Sequence, residues 1–358
     1  MYALADYDFD LPADLIAQQP AAVRDQSRLL VLQGETDPAP PRLTDARFDA
    51  LPGFLRAGDV LVLNDTRVFP ARLLGRRATG GKAEIFLIDA QGDGTWTALA
   101  RPAKKLRPGD TVSFGDAETP DLTATVEDVL PEGRRLVRFT TPHATLDDAI
   151  DAVGRMPLPP YIRRDEPQAA DRERYQTVYA EHRGSVAAPT AGLHFTDAVL
   201  DACRERGVHV ARLTHHVGYG TFEPVRVEDL RAHRVAEERF TLTEAEAARI
   251  DEARAAGGRV IAVGTTSTRA LESAISDDGR LVPGTRSTDL TITPGYRFRV
   301  VDGLVTNFHL PKSSLLVLVA TLAGREAVLH AYRHAIAERY RFYSYGDAML
   351  ILPAPATA

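Results

Sequence analysis

Thr243–Ser276 reads TEAEAARIDEARAAGGRVIAVGTTSTRALESAIS. Thr243, with Glu246 three residues on, forms a capping box ahead of a helical run that Gly257 and Gly258 end. RVIAVG (Arg259–Gly264) has the length and composition of a buried strand, and STRALESAIS (Ser267–Ser276) continues as the next helix. Strands alternating with helices in this way predict an α/β fold on a mostly parallel sheet. The turn GTTSTRALES (Gly264–Ser273) opens that second helix, so its first amides are free to meet an anionic or carboxylate group, with Thr265, Thr266 and Arg269 beside them. No Gly-Lys-Ser/Thr follows and the glycine spacing is not that of a dinucleotide fingerprint.

Towards the N-terminus, LLVL (Leu29–Leu32) and DVLVLN (Asp59–Asn64) read as strands and Pro12–Gln18 as a helix. TDPAPPR (Thr36–Arg42) reads as a proline-rich loop. The character changes between Ala71 and Phe139. ARLLGRR, AEIFLID, TWTALARPA, DTVSFG, TATVEDVL and RLVRF are short strands separated by the turn signals TGGK, AQGDG, RPGD and PEG. Closely spaced strands with no helix between them predict a small antiparallel barrel. Thr145 and Asp148 then cap a short helix, and MPLPPYIRR (Met156–Arg164) is held extended by its prolines. Near the end, SSLLVLVATLAG is apolar enough for a buried helix and AVLHAYRHAIAERY is amphipathic. The expected plan is a large α/β domain from residues 1–70 and 151–358, interrupted by a barrel at 71–150.

The 358 residues are 44% hydrophobic and 26% charged, ordinary values for a globular chain. No run of about 18 apolar residues is present, so no membrane span is expected, and the acidic start lacks the features of a signal peptide. The lone Cys203 leaves no internal disulfide, reads as a packing residue, and fits a reducing cytoplasm. Metal binding is not expected: His330 and His334 lie four apart on a helix without a third ligand. No Gly-x-Ser-x-Gly elbow occurs. The net charge of −6 argues against a dedicated nucleic-acid binder. Locally, however, Arg67–Arg107 carries nine basic residues against three acids. That stretch is a candidate phosphate-contact surface, or a solvated barrel face.

Five further motifs carry polar chemistry. SVAAPTAGLHF (Ser185–Phe195) packs small residues around Thr190, Gly192 and His194, ahead of a helix capped by Thr196. It suits a ligand loop at a strand end, and equally a tight strand-to-helix connection around a buried histidine. NDTR (Asn64–Arg67) ends a strand as a site element or as an Asx-type turn. THHVGYGTFEPV (Thr214–Val225) offers His216 as an acid/base group. TNFHLPKSS (Thr306–Ser314) concentrates Asn307, His309, Lys312 and Ser313, and a lysine at a helix start opposes the macrodipole and so suggests a function. In RYQTVYAEHRGSVAA (Arg174–Ala188), Tyr175, Gln176 and Tyr179 serve either stacking or the core.

These blocks resemble the S-adenosylmethionine:tRNA ribosyltransferase-isomerases of queuosine biosynthesis. The resemblance rests on AAPTAGLHF, NDTR followed by PARL, the His-Val-Gly-x-Gly-Thr-Phe frame at His216, TNFHLPKS and YRFYSYGDAML, and runs from Asp6 to the C-terminus. It implies transfer and isomerisation of the ribosyl part of S-adenosylmethionine onto 7-aminomethyl-7-deazaguanine (preQ1) in tRNAs with GUN anticodons. Epoxyqueuosine forms, and adenine and methionine leave. Under that reading His194, His216 and His309, with Asp65 and Glu238 behind them, are the acid/base candidates. Arg67, Thr190, Gly192, Thr265, Thr266, Arg269, Asn307, Lys312 and Ser313 are binding candidates. Arg76, Arg77, Lys82, Arg101, Lys104, Lys105 and Arg107 are the tRNA candidates. Where the family carries His-x-Met-His-Ser-Glu this chain has HRVAEE, with Ala236 at the second histidine; Thr291 and Thr293 replace aromatics, and Tyr219 and Glu223 are further local changes. Two other readings remain: a non-catalytic RNA-binding relative, and an S-adenosylmethionine-dependent transferase or nucleosidase acting without RNA.

Overall fold

The computed structural model describes residues 2–34, 41–116, 118–164, 168–222 and 225–353. Most of the expected 36–42 loop, and Glu223, lie outside them. Strands β1 (Arg28–Gln33), β2 (Arg42–Arg47), β3 (Val60–Asn64) and β4 (Thr66–Val68) precede six strands, β5 (Arg72–Arg77), β6 (Lys82–Gly92), β7 (Thr95–Arg101), β8 (Thr111–Gly115), β9 (Pro120–Val129) and β10 (Arg135–Thr140). Those six close into an antiparallel barrel in the order β10-β7-β6-β5-β8-β9. Alternate residues such as Leu73, Ile85, Val112, Ala124 and Val137 fill it, as period-2 strands with one buried face require. Helix α1 (Leu146–Val153) is capped by Thr145, whose hydroxyl accepts the Asp148 amide at 3.1 Å. Its Ile150 packs in the barrel core, and the helix runs three residues past the expected edge of the insertion.

After α2 (Ala170–Arg174), β11 (His182–Ser185) pairs in parallel with β4. Then follow α3 (Asp197–Glu205), β12 (His209–His215), β13 (Glu238–Leu242), α4 (Glu244–Ala255), β14 (Val260–Val263), α5 (Thr265–Ala274), β15 (Gly284–Thr288), β16 (Gly303–Asn307), α6 (Ser314–Ala323), α7 (Arg325–Ala337) and β17 (Ala348–Leu352). Nine strands form one sheet, ordered β15-β13-β12-β3-β14-β16-β17-β1-β2. Leu29, Val31, Leu61 and Leu63 face α3 on one side. Leu30, Leu32, Val60 and Val62 face α4–α7 on the other. Burial on both faces is why these strands read as continuous apolar runs.

Three expectations are corrected. The sheet is mixed rather than mostly parallel: β12/β3, β3/β14, β14/β16 and β17/β1 are parallel, the other neighbours antiparallel. The two helices expected near the end, α6 and α7, separate β16 from β17, and the chain returns antiparallel. The helix expected at Pro12–Gln18 is a single 3-10 turn at Ala13–Leu15. Leu15 and Ala17 instead exchange backbone hydrogen bonds with Phe342 at 2.8 and 3.1 Å, a tertiary pairing that replaces the helical one. The Thr243 hydroxyl caps α4, but the Glu246 carboxylate accepts the Arg212 amide instead of closing the box. No single helix among the described residues is long and apolar enough to cross a membrane.

Candidate active site

At the carboxyl ends of β14 and β16 lies a cavity of about 300 Å³. Ala187–Ala191 form a wall of small residues, as SVAAPTAGLHF suggested. Gly264, at φ +90°, turns the chain from β14 into α5 with no side-chain cap, so Thr265 and Thr266 present the bare first turn of that helix to the cavity. Opposite, the Thr306–Leu315 segment supplies Asn307, His309, Lys312 and Ser313. Tyr161 and Tyr343 meet edge to face at 3.9 Å as an aromatic wall, and the Tyr161 hydroxyl bonds that of Ser344. Tyr161 belongs to the extended Met156–Arg164 segment, a strap fastened by the Gln18 side chain to Tyr161 O and Arg163 N, both at 3.0 Å. A buried Arg164–Asp171 pair at 2.9 Å completes the fastening.

Seven binding and acid/base candidates therefore share this one cavity: Thr190, Thr265, Thr266, Asn307, His309, Lys312 and Ser313. Their local chemistry differs. The Ser313 hydroxyl is committed to α6, accepting the Leu316 amide at 3.2 Å and donating to Leu310 O at 2.8 Å. Lys312 sits at φ +56°, its amide donating to Tyr7 O at 2.9 Å and its Nζ 2.5 Å from Asp8 Oδ2. His309 Nε2 lies 2.8 Å from Thr306 Oγ1, and desolvation pushes its imidazole down to about 3. It is neutral through the physiological range.

The other candidates lie elsewhere. His194 is 4% exposed and stacked on Phe48 at 5.1 Å. Asn307 Nδ2 donates to its Nε2 at 3.1 Å, so its Nδ1–H faces Ser27 Oγ at 2.7 Å. Burial pushes it down to about 4. This is the buried-histidine alternative for the 185–195 block. Gly192 is a packing position: an added Cβ would come within 2.2 Å of the Tyr179 hydroxyl. Tyr179 is in the core beside α3, while Gln176 bonds the Val68 backbone and steadies β4. Cys203 is buried in α3, as expected of a packing residue.

In NDTR, Asn64 Oδ1 accepts the Thr66 amide at 3.1 Å, an Asx-type turn, and also the His215 amide at 2.9 Å. Asp65 accepts from Thr214 Oγ1 at 2.7 Å, and burial raises its carboxyl. Arg67 is exposed on β4. His216 pairs with Thr66 Oγ1 at 2.9 Å and is lowered chiefly by burial.

His215, which motif reading passed over, is 0% exposed. Its Nδ1 lies 3.1 Å from Thr266 O and its Nε2 3.0 Å from Glu238 Oε2. Both ring nitrogens thus lie beside acceptors. Glu238 Oε2 also accepts from Arg269 at 2.6 Å, and its Oε1 accepts the Gly218 amide at 2.8 Å. Burial alone would raise the Glu238 carboxyl, but His215 and Arg269 outweigh it and hold it below the usual range. The remaining donors of Arg269 go to Leu290, Thr288 and Ala236 carbonyls. Arg269 is thus a positioning residue for Glu238. A side chamber of about 40 Å³, lined by Ala236, Glu238, Arg269 and Thr291, adjoins the main cavity through Thr265 and Thr266. Thr291 Oγ1 accepts the Val235 amide at 3.1 Å and donates to Asp289 O at the same distance.

A signal for His215 was present in the strand. Ala211, Leu213 and His215 alternate inward on β12, so period 2 selects His215, not His216, for the buried face. The tRNA candidates Arg76, Arg77, Lys82 and Arg101 line an open groove of about 880 Å³ on the barrel. Lys104, Lys105 and Arg107 follow on the exposed turn after β7.

The fold as a whole is similar to that of a solved protein. The crystal structure of the S-adenosylmethionine tRNA ribosyltransferase of Thermotoga maritima matches 97% of this chain and 100% of its own, with TM-score 0.55 and 34% identity. Residues 4–351 match the model of the queuosine biosynthesis protein family, and the chain belongs to that family. Proteins named S-adenosylmethionine:tRNA ribosyltransferase-isomerase are similar throughout. The Syntrophotalea carbinolica protein is 51% identical over 351 residues, covering 98% of this chain and 99% of its own. The Burkholderia pseudomallei protein is 54% identical over 358 residues, covering 98% and 96%.

Proposed function

We propose that the chain is an S-adenosylmethionine:tRNA ribosyltransferase-isomerase acting in the cytoplasm on preQ1 in tRNAs with GUN anticodons. The observation that carries this reading is the gathering of seven polar candidates from three separate motifs around one cavity, in a chain of the queuosine family. S-adenosylmethionine is the ribosyl donor and occupies that cavity. The open first turn of α5, with Lys312 across from it, suits the methionine carboxylate. Tyr161 and Tyr343 suit the adenine ring.

The sulfonium acidifies the adjacent C5′ protons, so a neutral base at the wall can remove one. Of the acid/base candidates, His309 lines the cavity and is held neutral by burial. We assign the proton transfer to it. His194 aligns Asn307; Glu238 aligns the α5 turn through His215; Asp65 and His216 brace the ends of β12 and β4. The preQ1 amine takes the ribosyl carbon as the sulfonium bond breaks and methionine leaves. Adenine departs with a proton as the ring is rebuilt to the epoxide. Unpaired anticodon-loop bases can be splayed into such a cavity, and the unneutralised cations of the barrel suit the phosphate backbone.

The test is incubation of the purified chain with S-adenosylmethionine and preQ1-bearing tRNA, followed by nuclease digestion and mass spectrometry. Epoxyqueuosine and free adenine together are the expected products. Adenine without tRNA would favour the RNA-independent enzyme, and tRNA binding with neither product the non-catalytic relative.

A further inference from the structure

A second cavity, of about 660 Å³, lies between the barrel and the Met156–Arg164 strap. Pro160 lines both this cavity and the 300 Å³ one. At its other end it shares Glu84, Arg101 and Arg155 with the barrel groove. The three hollows are thus neighbours, each sharing lining residues with the next, between the basic barrel face and the proposed site.

Two features give this middle section a chemistry. Arg101 and Arg155 have exposed side chains with no hydrogen-bond or carboxylate partner among the described residues. The acids nearby are already neutralised: Glu84 binds Arg72 at 2.8 Å, and Asp171 binds Arg164 at 2.9 Å. Secondly, Phe86 of the barrel and Tyr219 of the opposite domain meet edge to face at 5.4 Å on the cavity wall. As lining residues, the two rings bring aromatic surface to the cavity. Unpaired guanidinium groups beside aromatic faces are the recognition set for a single polynucleotide strand, backbone on the cations and base on the ring. An acidic peptide would use the cations and ignore the rings. A base delivered past Pro160 would enter the reaction cavity from this side.

We propose that this cavity is a channel for the unpaired nucleotides flanking the modified base, with Arg101 and Arg155 holding phosphates and Phe86 and Tyr219 stacking a base. The proposal rests on the RNA-dependent reaction proposed above. It assigns Arg155, Phe86 and Tyr219 roles that the charge pattern of the sequence did not suggest.

The probe is an anticodon stem-loop carrying 2-aminopurine next to the wobble position, titrated against the full chain at several salt concentrations. Wild type is expected to quench the fluorophore. Phe86→Ala should lose most of the quenching and bind about ten-fold more weakly, the stacking of one base. Arg155→Ala should lower the slope of log K against log salt by about one, a single phosphate contact. S-adenosylmethionine binding, followed separately, should be unchanged in both variants. Unaltered quenching and slope in the variants, with wild type still releasing adenine, would overturn the channel and leave the reaction standing. So would displacement of the probe by polyglutamate as readily as by single-stranded RNA. A wild type that quenches the probe but forms no product would overturn the reaction and leave the channel.

Discussion

His215 Nε2 and Glu238 Oε2 lie 3.0 Å apart in the core, and the same oxygen is 2.6 Å from Arg269 Nη1. One carboxylate thereby ties the end of β12 to α5 and, through Gly218, to the loop leaving β12. Glu238→Gln replaces an acceptor with an amide that turns a donor towards His215, Arg269 or Gly218. Removing one member of a buried ion pair costs about 3–5 kcal/mol. We expect a loss of that order in urea denaturation, with kcat falling as the α5 turn shifts. Unchanged stability would show that the network is not the hub the geometry describes.

Lys312 separates function from stability more cleanly. Its pair with Asp8 joins two side chains that are each 48% exposed, and such pairs contribute no more than about 1 kcal/mol. Because the residue holds φ +56°, glycine removes the side chain without the backbone strain that alanine would add there. Lys312→Gly should therefore melt close to wild type. If the ammonium meets the methionine carboxylate, KM for S-adenosylmethionine should rise about ten-fold or more with a smaller change in kcat. An unchanged KM would leave Asp8 as its only partner.

His194 predicts a pH dependence of folding. Its pKa is depressed from 6.5 to about 4 by burial, so the unfolded chain binds the proton more readily. Its contribution to stability is complete above about pH 6.5 and is lost as the pH falls towards 4. The shift corresponds to at most about 3 kcal/mol. His194→Gln, which can keep one hydrogen bond, should be less stable at pH 7.5 but lose less on acidification. Parallel stability curves for the two proteins between pH 7 and 4.5 would count against this.

The sequence resolved elements where a local signal was strong. Thr145, Thr196 and Thr243 each cap the helix they precede, because capping is a short-range hydrogen bond. Barrel strands were legible from alternation and turns. What failed needed tertiary information. Nothing local says that Ala17 will pair with Phe342 rather than start a helix, or that β17 will run antiparallel to β16 after the two helices. The site divided in the same way. TNFHLPKSS and GTTSTRALES met at the cavity as their polar density suggested. His194, Gly192 and Arg269 looked functional by residue type, yet their atoms are committed to neighbours at least 19 residues away in sequence, or to packing.

His309 carries the sharpest kinetic prediction. A neutral imidazole on the cavity wall is a base that needs no prior deprotonation, and with its pKa near 3 it remains so across the physiological range. The acid limb of kcat/KM, a free-enzyme quantity, should therefore not contain an ordinary histidine titration near 6.5 arising from this residue. His309→Asn should lower kcat by about 10²–10⁴-fold, the usual contribution of a positioned acid or base. Its fold should survive, because the ring's hydrogen bond to Thr306 Oγ1 is short-range. The measurement is a pH–rate profile for wild type and variant using adenine release. An acid limb near 6.5 that disappears in His309→Asn would mean that the ring is hydrated and titrates normally in the free enzyme. Retention of wild-type kcat would move the proton transfer to another group.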